Sequence, residues 1–170
     1  MRDRRDLTPE LKALYTYPTG KEEDVVLDAL IIEHSLFTET FYFLNSPVSK
    51  ILETPEGENK SFESVPFIIN LPEKGDVQQD LNIVIPVGEA YNDYDIREAL
   101  YTAQESNEKI KVTFLVYINK NTTPEYYFDL LLTNVVIDSE KITGTATKKD
   151  LYKNYFGDDV YDLRFKGIFL

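Results

Sequence analysis

The chain has no cysteine, no tryptophan, one histidine and one methionine. Without cysteine there is no disulfide, no thiol nucleophile and no thiolate-held metal. A single imidazole, His34, leaves too few nitrogen donors for a zinc site of the usual kind. Any Ser-His-Asp arrangement or proton shuttle would have to run through it, and no GxSxG elbow accompanies it. His34 lies inside or at the end of an apolar stretch, so a structural histidine is the expectation. The seven glycines are scattered, with no GxGxxG or GxxxxGK[ST] spacing to cradle a phosphate. No apolar run approaches the roughly 20 residues that a membrane-spanning helix needs. The opening residues, MRDRRDLTPE, lack the apolar core of a secretory signal, which sets the expectation that the chain starts out in the cytoplasm.

Basic residues are also in short supply, 18 against 30 acidic ones, for a formal net charge of -12. Non-specific affinity for nucleic acid comes from Lys and Arg releasing counterions from phosphates, so a chain this acidic repels DNA and anionic membranes. The clusters Arg2, Arg4, Arg5 and Lys148, Lys149 are short, and surface ion pairs or a subunit contact explain them. Carboxylates occur together at Glu22-Glu23-Asp24, at Asp93 and Asp95, and at Asp158-Asp159. Glycosidases need two carboxylates across a sugar bond, but among 30 acidic residues some always stand in pairs. The simpler reading is a solvated surface, with Asp93 and Asp95 serving a helix N-terminus. Neither Asn92-Asp93-Asp95 nor Gly157-Asp158-Asp159 has the spacing of a calcium-binding helix–loop–helix. No catalytic residue, cofactor or metal ligand is assigned.

Apolar and aromatic material is plentiful. With 170 residues, 42% apolar and 13% aromatic, the chain suits one domain with a sizeable core. Asp6 to Tyr15 reads as a short helix, capped by Thr8 with Pro9 in the first turn and Leu7, Leu11 and Leu14 on one stripe. Val25 to His34 is nearly continuously apolar, which predicts a strand buried on both faces. Glu39 to Asn45 reads as a second strand. Glu53 to Ser64 is polar, with Pro and Gly, and reads as a hairpin or exposed loop. Val65 to Leu71 and Asp80 to Val87 follow as strands, the latter placing Leu81, Ile83 and Ile85 toward the core. A central helix begins at Asn92 or Asp93 and ends near Asn107, with Ile96, Leu100 and Ala103 on its buried stripe. Three strands follow, Lys109 to Asn119, Glu125 to Asp138 and Glu140 to Ala146, joined by short turns that imply antiparallel pairing. The expected class is α+β and β-rich, an antiparallel sandwich or partly open barrel with a short N-terminal helix and one central helix, in a single domain over residues 1–170.

Leu151 to Leu170 is irregular and aromatic. Its rings can cap a core, form a docking surface or stack on sugars. The interface candidates are Tyr126, Tyr127 and Phe128, read as lying in an aromatic loop, together with Tyr152, Tyr155, Phe156, Tyr161, Phe165 and Phe169.

Four segments, in this order, carry a resemblance. They are DLTPELKAL before an apolar strand; Phe62-Glu63-Ser64-Val65-Pro66-Phe67-Ile68 with Leu71-Pro72; LNIVIPV leading to Ile96-Arg97-Glu98-Ala99-Leu100; and Ile142-Thr143-Gly144-Thr145 before Asp150-Leu151 and Leu163-Arg164-Phe165-Lys166-Gly167-Ile168-Phe169. Together they resemble a family of phage tail proteins of uncharacterised function, encoded among tail-tip and minor-tail genes. The family's ending usually has Pro before its final Gly, where this chain has Lys166. The resemblance implies a virion tail subunit without catalytic residues. Its partners would be other tail proteins and further copies of itself in a cyclic ring, assembled in the host cytoplasm. In such a ring Glu22, Glu23, Asp24, Glu56, Glu58, Asp158 and Asp159 would face solvent or a lumen. The competing reading is a β-sandwich module that recognises a glycan or a host surface. The net charge yields a first prediction: a gel shift at physiological salt shows no specific DNA binding. Submicromolar binding there would reveal a basic patch and overturn it.

Overall fold

A computed structural model describes residues 25–70, 81–86 and 93–148, together with the isolated positions Pro9 and Ala13, both helical. The rest of the expected opening helix, and the whole aromatic segment Leu151 to Leu170, lie outside the described residues.

The elements are β1 (Val26–Glu33), β2 (Phe41–Leu44), β3 (Lys50–Glu53), β4 (Asn59–Ser64), β5 (Ile68–Asn70), β6 (Leu81–Pro86), α1 (Asp93–Gln104), β7 (Ile110–Ile118), β8 (Tyr126–Ile137) and β9 (Lys141–Lys148). The strands form one open sheet in the order β3-β4-β2-β1-β7-β8-β9-β6-β5. Its pairings are antiparallel except for β2 with β4, which is parallel and makes the sheet mixed. The expected β-rich α+β class is therefore observed. The described strands are linked into one sheet, not two separate ones. Instead one half of the sheet curls, so that edge strand β3 reaches the β7–β8 turn, where Glu53 N–H donates to the Thr122 carbonyl at 2.9 Å.

The centre of the sheet is β1 paired with β7 over eight residues, Val26↔Ile118 to Glu33↔Lys111. Side chains alternate across a strand, and here both sets are apolar. Leu30 and Ile32 of β1 join Val112 of β7 in one buried cluster, and Leu27, Ala29 and Ile31 join Leu115 and Tyr117 in another on the opposite face. The first face is covered by α1. Ile96, Leu100 and Ala103, spaced four and three apart, are each only 1% exposed, as the stripe predicts. The helix ends at Gln104, earlier than Asn107 would set it, as the chain turns through the Ser106 N–H bond to the Ala103 carbonyl at 3.1 Å. Gln104 Nε2 also donates to the Val135 carbonyl at 2.6 Å, tying the helix to β8.

The second face is covered by the β3–β4 hairpin, whose Leu52 and Phe62 pack on Leu27, Ile31, Leu44 and Tyr117. The hairpin closes where Thr54 N–H donates to the Glu58 carbonyl at 2.7 Å, and Gly57 takes φ +86°, which favours glycine. Of the two readings of Glu53 to Ser64, hairpin or exposed loop, the structure takes the hairpin, because the Leu52 and Phe62 side chains have a core to enter. Pro66 has the reverse effect on the predicted strand from Val65. It cannot donate to a ladder, so the strand starts only at Ile68, although Val65 and Phe67 are buried.

On β8 a bulge between Thr133 and Val136, with Asn134 at φ 51°, shifts the alternation by one. Asn tolerates this left-handed conformation better than most residues. The shift lets Leu130, Leu132, Val135 and Ile137 all face the helix-side cluster. The packing yields a second prediction. Leu100→Ala leaves a cavity under α1 and lowers stability by about 2–5 kcal/mol, while Thr102→Ala on the exposed side of the helix changes it by less than about 0.5 kcal/mol. Equal effects in urea unfolding would contradict this packing.

Candidate functional site

The single histidine stands just past the end of β1. The Leu36 N–H donates to His34 Nδ1 at 3.2 Å, and the Phe37 N–H donates to the His34 carbonyl at 3.1 Å. An Nδ1 that accepts leaves the ring proton on Nε2, which lies 3.1 Å from Ser106 Oγ and 3.4 Å from the Glu108 carbonyl. A base that activates Ser106 would need a bare Nε2, and this network assigns the opposite. Ser106 Oγ in turn accepts from the Glu108 N–H at 3.2 Å, and Ser35 Oγ donates to the Glu108 carboxylate. The imidazole also tilts against Phe37, with ring centroids 5.4 Å apart. His34 thus ties the end of β1 to the α1–β7 connection.

Two adjoining hollows run along α1. One, of about 570 Å³, lies between α1 and the β1–β2 loop and is lined by Leu36, Phe37, Glu39, Asp95 and Thr102 among others. The other, of about 450 Å³, continues over β2 and β4 past Tyr42, Lys60 and Glu63. They share Glu39, Phe41 and Asp95. Phe37 and Phe41 meet edge to face at 5.6 Å on the apolar wall. The groove therefore sets aromatic surface beside carboxylates, which suits a neutral polar or cationic group. Its lining residues carry no signal in a single sequence, since Phe37, Glu39 and Asp95 come together only through the fold. Among the described residues, no three His, Cys, Asp or Glu side chains are grouped so that they could hold a metal ion.

A polar set lies on the hairpin-side face of β1, β7 and β8. Thr113 is buried and donates through Oγ1 to Asp129 Oδ1 at 2.7 Å. Lys111 Nζ lies 3.0 Å from Glu33 Oε2 and 3.8 Å from Asp129 Oδ1. Desolvation pulls the Lys111 ammonium down, but the Glu33 bond and the charges of Asp129, Glu33 and Glu56 outweigh it and raise its pKa. A polar residue set among apolar neighbours in each strand, Thr113 within VTFLV and Asp129 within FDLLL, is the sequence signal for this pair. It becomes legible only with the register that sets Thr113 opposite Asp129. Tyr117 is buried too, and its hydroxyl donates to the Glu53 carbonyl at 2.8 Å, so burial raises its pKa.

The three interface candidates within the described residues lie on strand β8, not in a loop, because each ring has a place in the sheet. Tyr127 is buried in the hairpin-side cluster with Phe62 and Tyr117. Tyr126 and Phe128 point to the other face, half-buried, where Phe128 meets Phe114 at 5.4 Å and Tyr126 at 5.5 Å. The structure therefore divides this trio rather than presenting it as one patch. Tyr152, Tyr155, Phe156, Tyr161, Phe165 and Phe169 lie outside the described residues.

Asp28, in the middle of β1, gives a third prediction. Burial raises its carboxyl pKa above the ordinary value. A carboxyl whose folded pKa is raised holds its proton better when folded, so its ionisation costs stability as pH climbs from the unfolded pKa through the folded one. Asp28→Asn should therefore raise the Tm at pH 7 and lose that advantage near pH 3. A gain of equal size at both pH values, or a loss at pH 7, would contradict the assignment.

No curated protein matches this sequence. Residues 10–161 match the model of a family described as Domain of unknown function (DUF1833). That stretch takes in every strand and the helix described above, and the chain belongs to this DUF1833 family.

Proposed function

We propose that the protein is a structural subunit of a bacteriophage tail, in a ring, a connector or the distal tip, and that it acts through protein–protein contacts. Its partners in this reading are other tail proteins and copies of itself, in a virion tail assembled in the host cytoplasm. The kinship to tail proteins rests on the resemblance of the four ordered segments. The observation that supports the mode of assembly is the open sheet, which ends on two unlike edges, β3 and β5. A cyclic ring needs two different surfaces on each subunit, one to meet each neighbour, and unlike sheet edges are such a pair. Ile51 of β3 is 67% exposed, an unusual setting for an edge isoleucine. The curled half of the sheet favours reading that part of the molecule as a partly open barrel.

The acidic positions fit this picture where they are described. Glu56 and Glu58 stand exposed in the β3–β4 turn, Glu58 with Lys60 at 2.9 Å. Glu22, Glu23, Asp24, Asp158 and Asp159 lie outside the described residues. The groove beside α1 favours a second reading, a module that binds a glycan: Phe37 and Phe41 would supply the apolar wall and Glu39 and Asp95 the hydrogen-bond acceptors. Electron microscopy and light scattering of the purified protein, with immunogold labelling of phage particles, separate the two. The tail reading expects closed rings of one size and label on tails. A monomer at tens of micromolar that is absent from particles would contradict it.

A further inference from the structure

The sheet has one outward face that neither α1 nor the β3–β4 hairpin covers, and the register sets its composition. On the side away from the helix, Val136 of β8, Thr143 of β9, Val84 of β6 and Ile68 of β5 stand next to one another in one row across four strands. Val136 is 60% and Ile68 55% exposed. The adjacent row holds Thr133, Thr145 and Asn82, linked laterally: Thr133 Oγ1 donates to the Thr145 carbonyl at 3.1 Å, and Thr145 Oγ1 to Asn82 Oδ1 at 3.4 Å. Leu131 and Thr147 extend the face at its end. None of these nine positions is charged, although the chain carries 28% charged residues and a net charge of -12. The apolar row is edged on one side by hydroxyls and an amide and on the other by Lys141 beside Pro86, so a further layer can cover these nine positions without burying a charge.

We propose that the segment Leu151–Leu170 of the same chain docks on this face, with its aromatic rings over the row Val136, Thr143, Val84 and Ile68. Three features point to this occupant. The chain leaves the face itself: β9, which contributes Thr143, Thr145 and Thr147, ends at Lys148, and residues 149–170 follow. The N-terminal segment enters far away, at Val25, beside the Val26↔Ile118 pair at the opposite end of the strands. Second, the area is small. Four strands about 4.8 Å apart over four residues of rise give a face on the order of 250 Å². Two copies joined through it would bury about 500 Å², well under the roughly 1,200 Å² that a stable interface needs. A tethered segment has no such requirement, because it loses no translational freedom on docking. Third, Leu163-Arg164-Phe165-Lys166-Gly167-Ile168-Phe169 alternates. In extended form it would set Leu163, Phe165, Gly167 and Phe169 on one side and Arg164, Lys166 and Ile168 on the other, so that both cations stay in water. Tyr152, Tyr155 and Tyr161 add rings whose hydroxyls can bond the threonine row. This docking holds whether or not the protein builds a tail.

The test places the photo-cross-linker p-benzoylphenylalanine at position 136 of the full chain. A mixture of ordinary and ¹⁵N-labelled protein is illuminated, digested and analysed by mass spectrometry. The expected product has monomer mass and joins position 136 to a peptide within residues 151–170. The same probe at position 68 should reach the same segment, and Val136→Asp should lower that yield severalfold. Cross-links to residues 1–24, cross-links between labelled and unlabelled copies, or a yield no higher than from a probe at exposed position 51 would each overturn the proposal.

Discussion

Everything in the described molecule hangs on burying the β1–β7 pair from both sides. These two strands are apolar on both faces, so a single covering layer would leave half of their side chains in water. Each large side chain fully buried here contributes about 1.5–3 kcal/mol, and Leu30, Ile32, Leu115, Tyr117 and Ile118 are all essentially inaccessible. The chain meets the demand with two unlike covers, one helix and one hairpin. The hairpin arrives by curling the sheet's own edge over the face, which is why the sheet is bent on one side and open on the other.

Polar groups inside this arrangement follow the usual rule that what is buried must be bonded. Thr113 and Asp129 satisfy each other across β7 and β8, the Tyr117 hydroxyl reaches a backbone carbonyl of β3, and no buried side-chain nitrogen or oxygen among the described residues lacks a partner. Asp28 is the costly exception in charge, raised by desolvation alone. Among the described residues, the half of the sheet formed by β8, β9, β6 and β5 is covered only on its helix side. Its other face is threonine-rich, with Lys141 at its margin, and Gly144 beneath it is tight on the helix side, where an added Cβ would come within 2.7 Å of Leu132 Cδ1.

Much of this fold is legible in the sequence wherever hydrophobic period alone decides. The alternation of Leu81, Ile83 and Ile85, the stripe Ile96, Leu100 and Ala103, and the continuous apolar run of β1 each give the right element and the right buried side. What escapes the sequence depends on partners far along the chain. Phe62 stands in a polar stretch that reads equally as a hairpin or an exposed loop until the core it enters is known. Tyr126-Tyr127-Phe128 looks like one aromatic patch until strand alternation splits it. The bulge at Asn134 has no flanking Gly or Pro to announce it. The groove beside α1 and the threonine-rich face are products of register, which a single sequence does not state. The tail reading comes from resemblance rather than from any constellation of reactive groups.

Native-state amide hydrogen exchange tests the two-sided core most directly. The amides of Leu27 to Ile32 and of Val112 to Tyr117 should be the slowest in the protein and should exchange only through global unfolding, with a free energy equal to that measured in urea. Those of the edge strands β3 and β5 should open at lower free energy. If β1 and β7 exchanged as readily as the edges, or through a smaller local opening, the claim that their double burial holds the fold together would be contradicted.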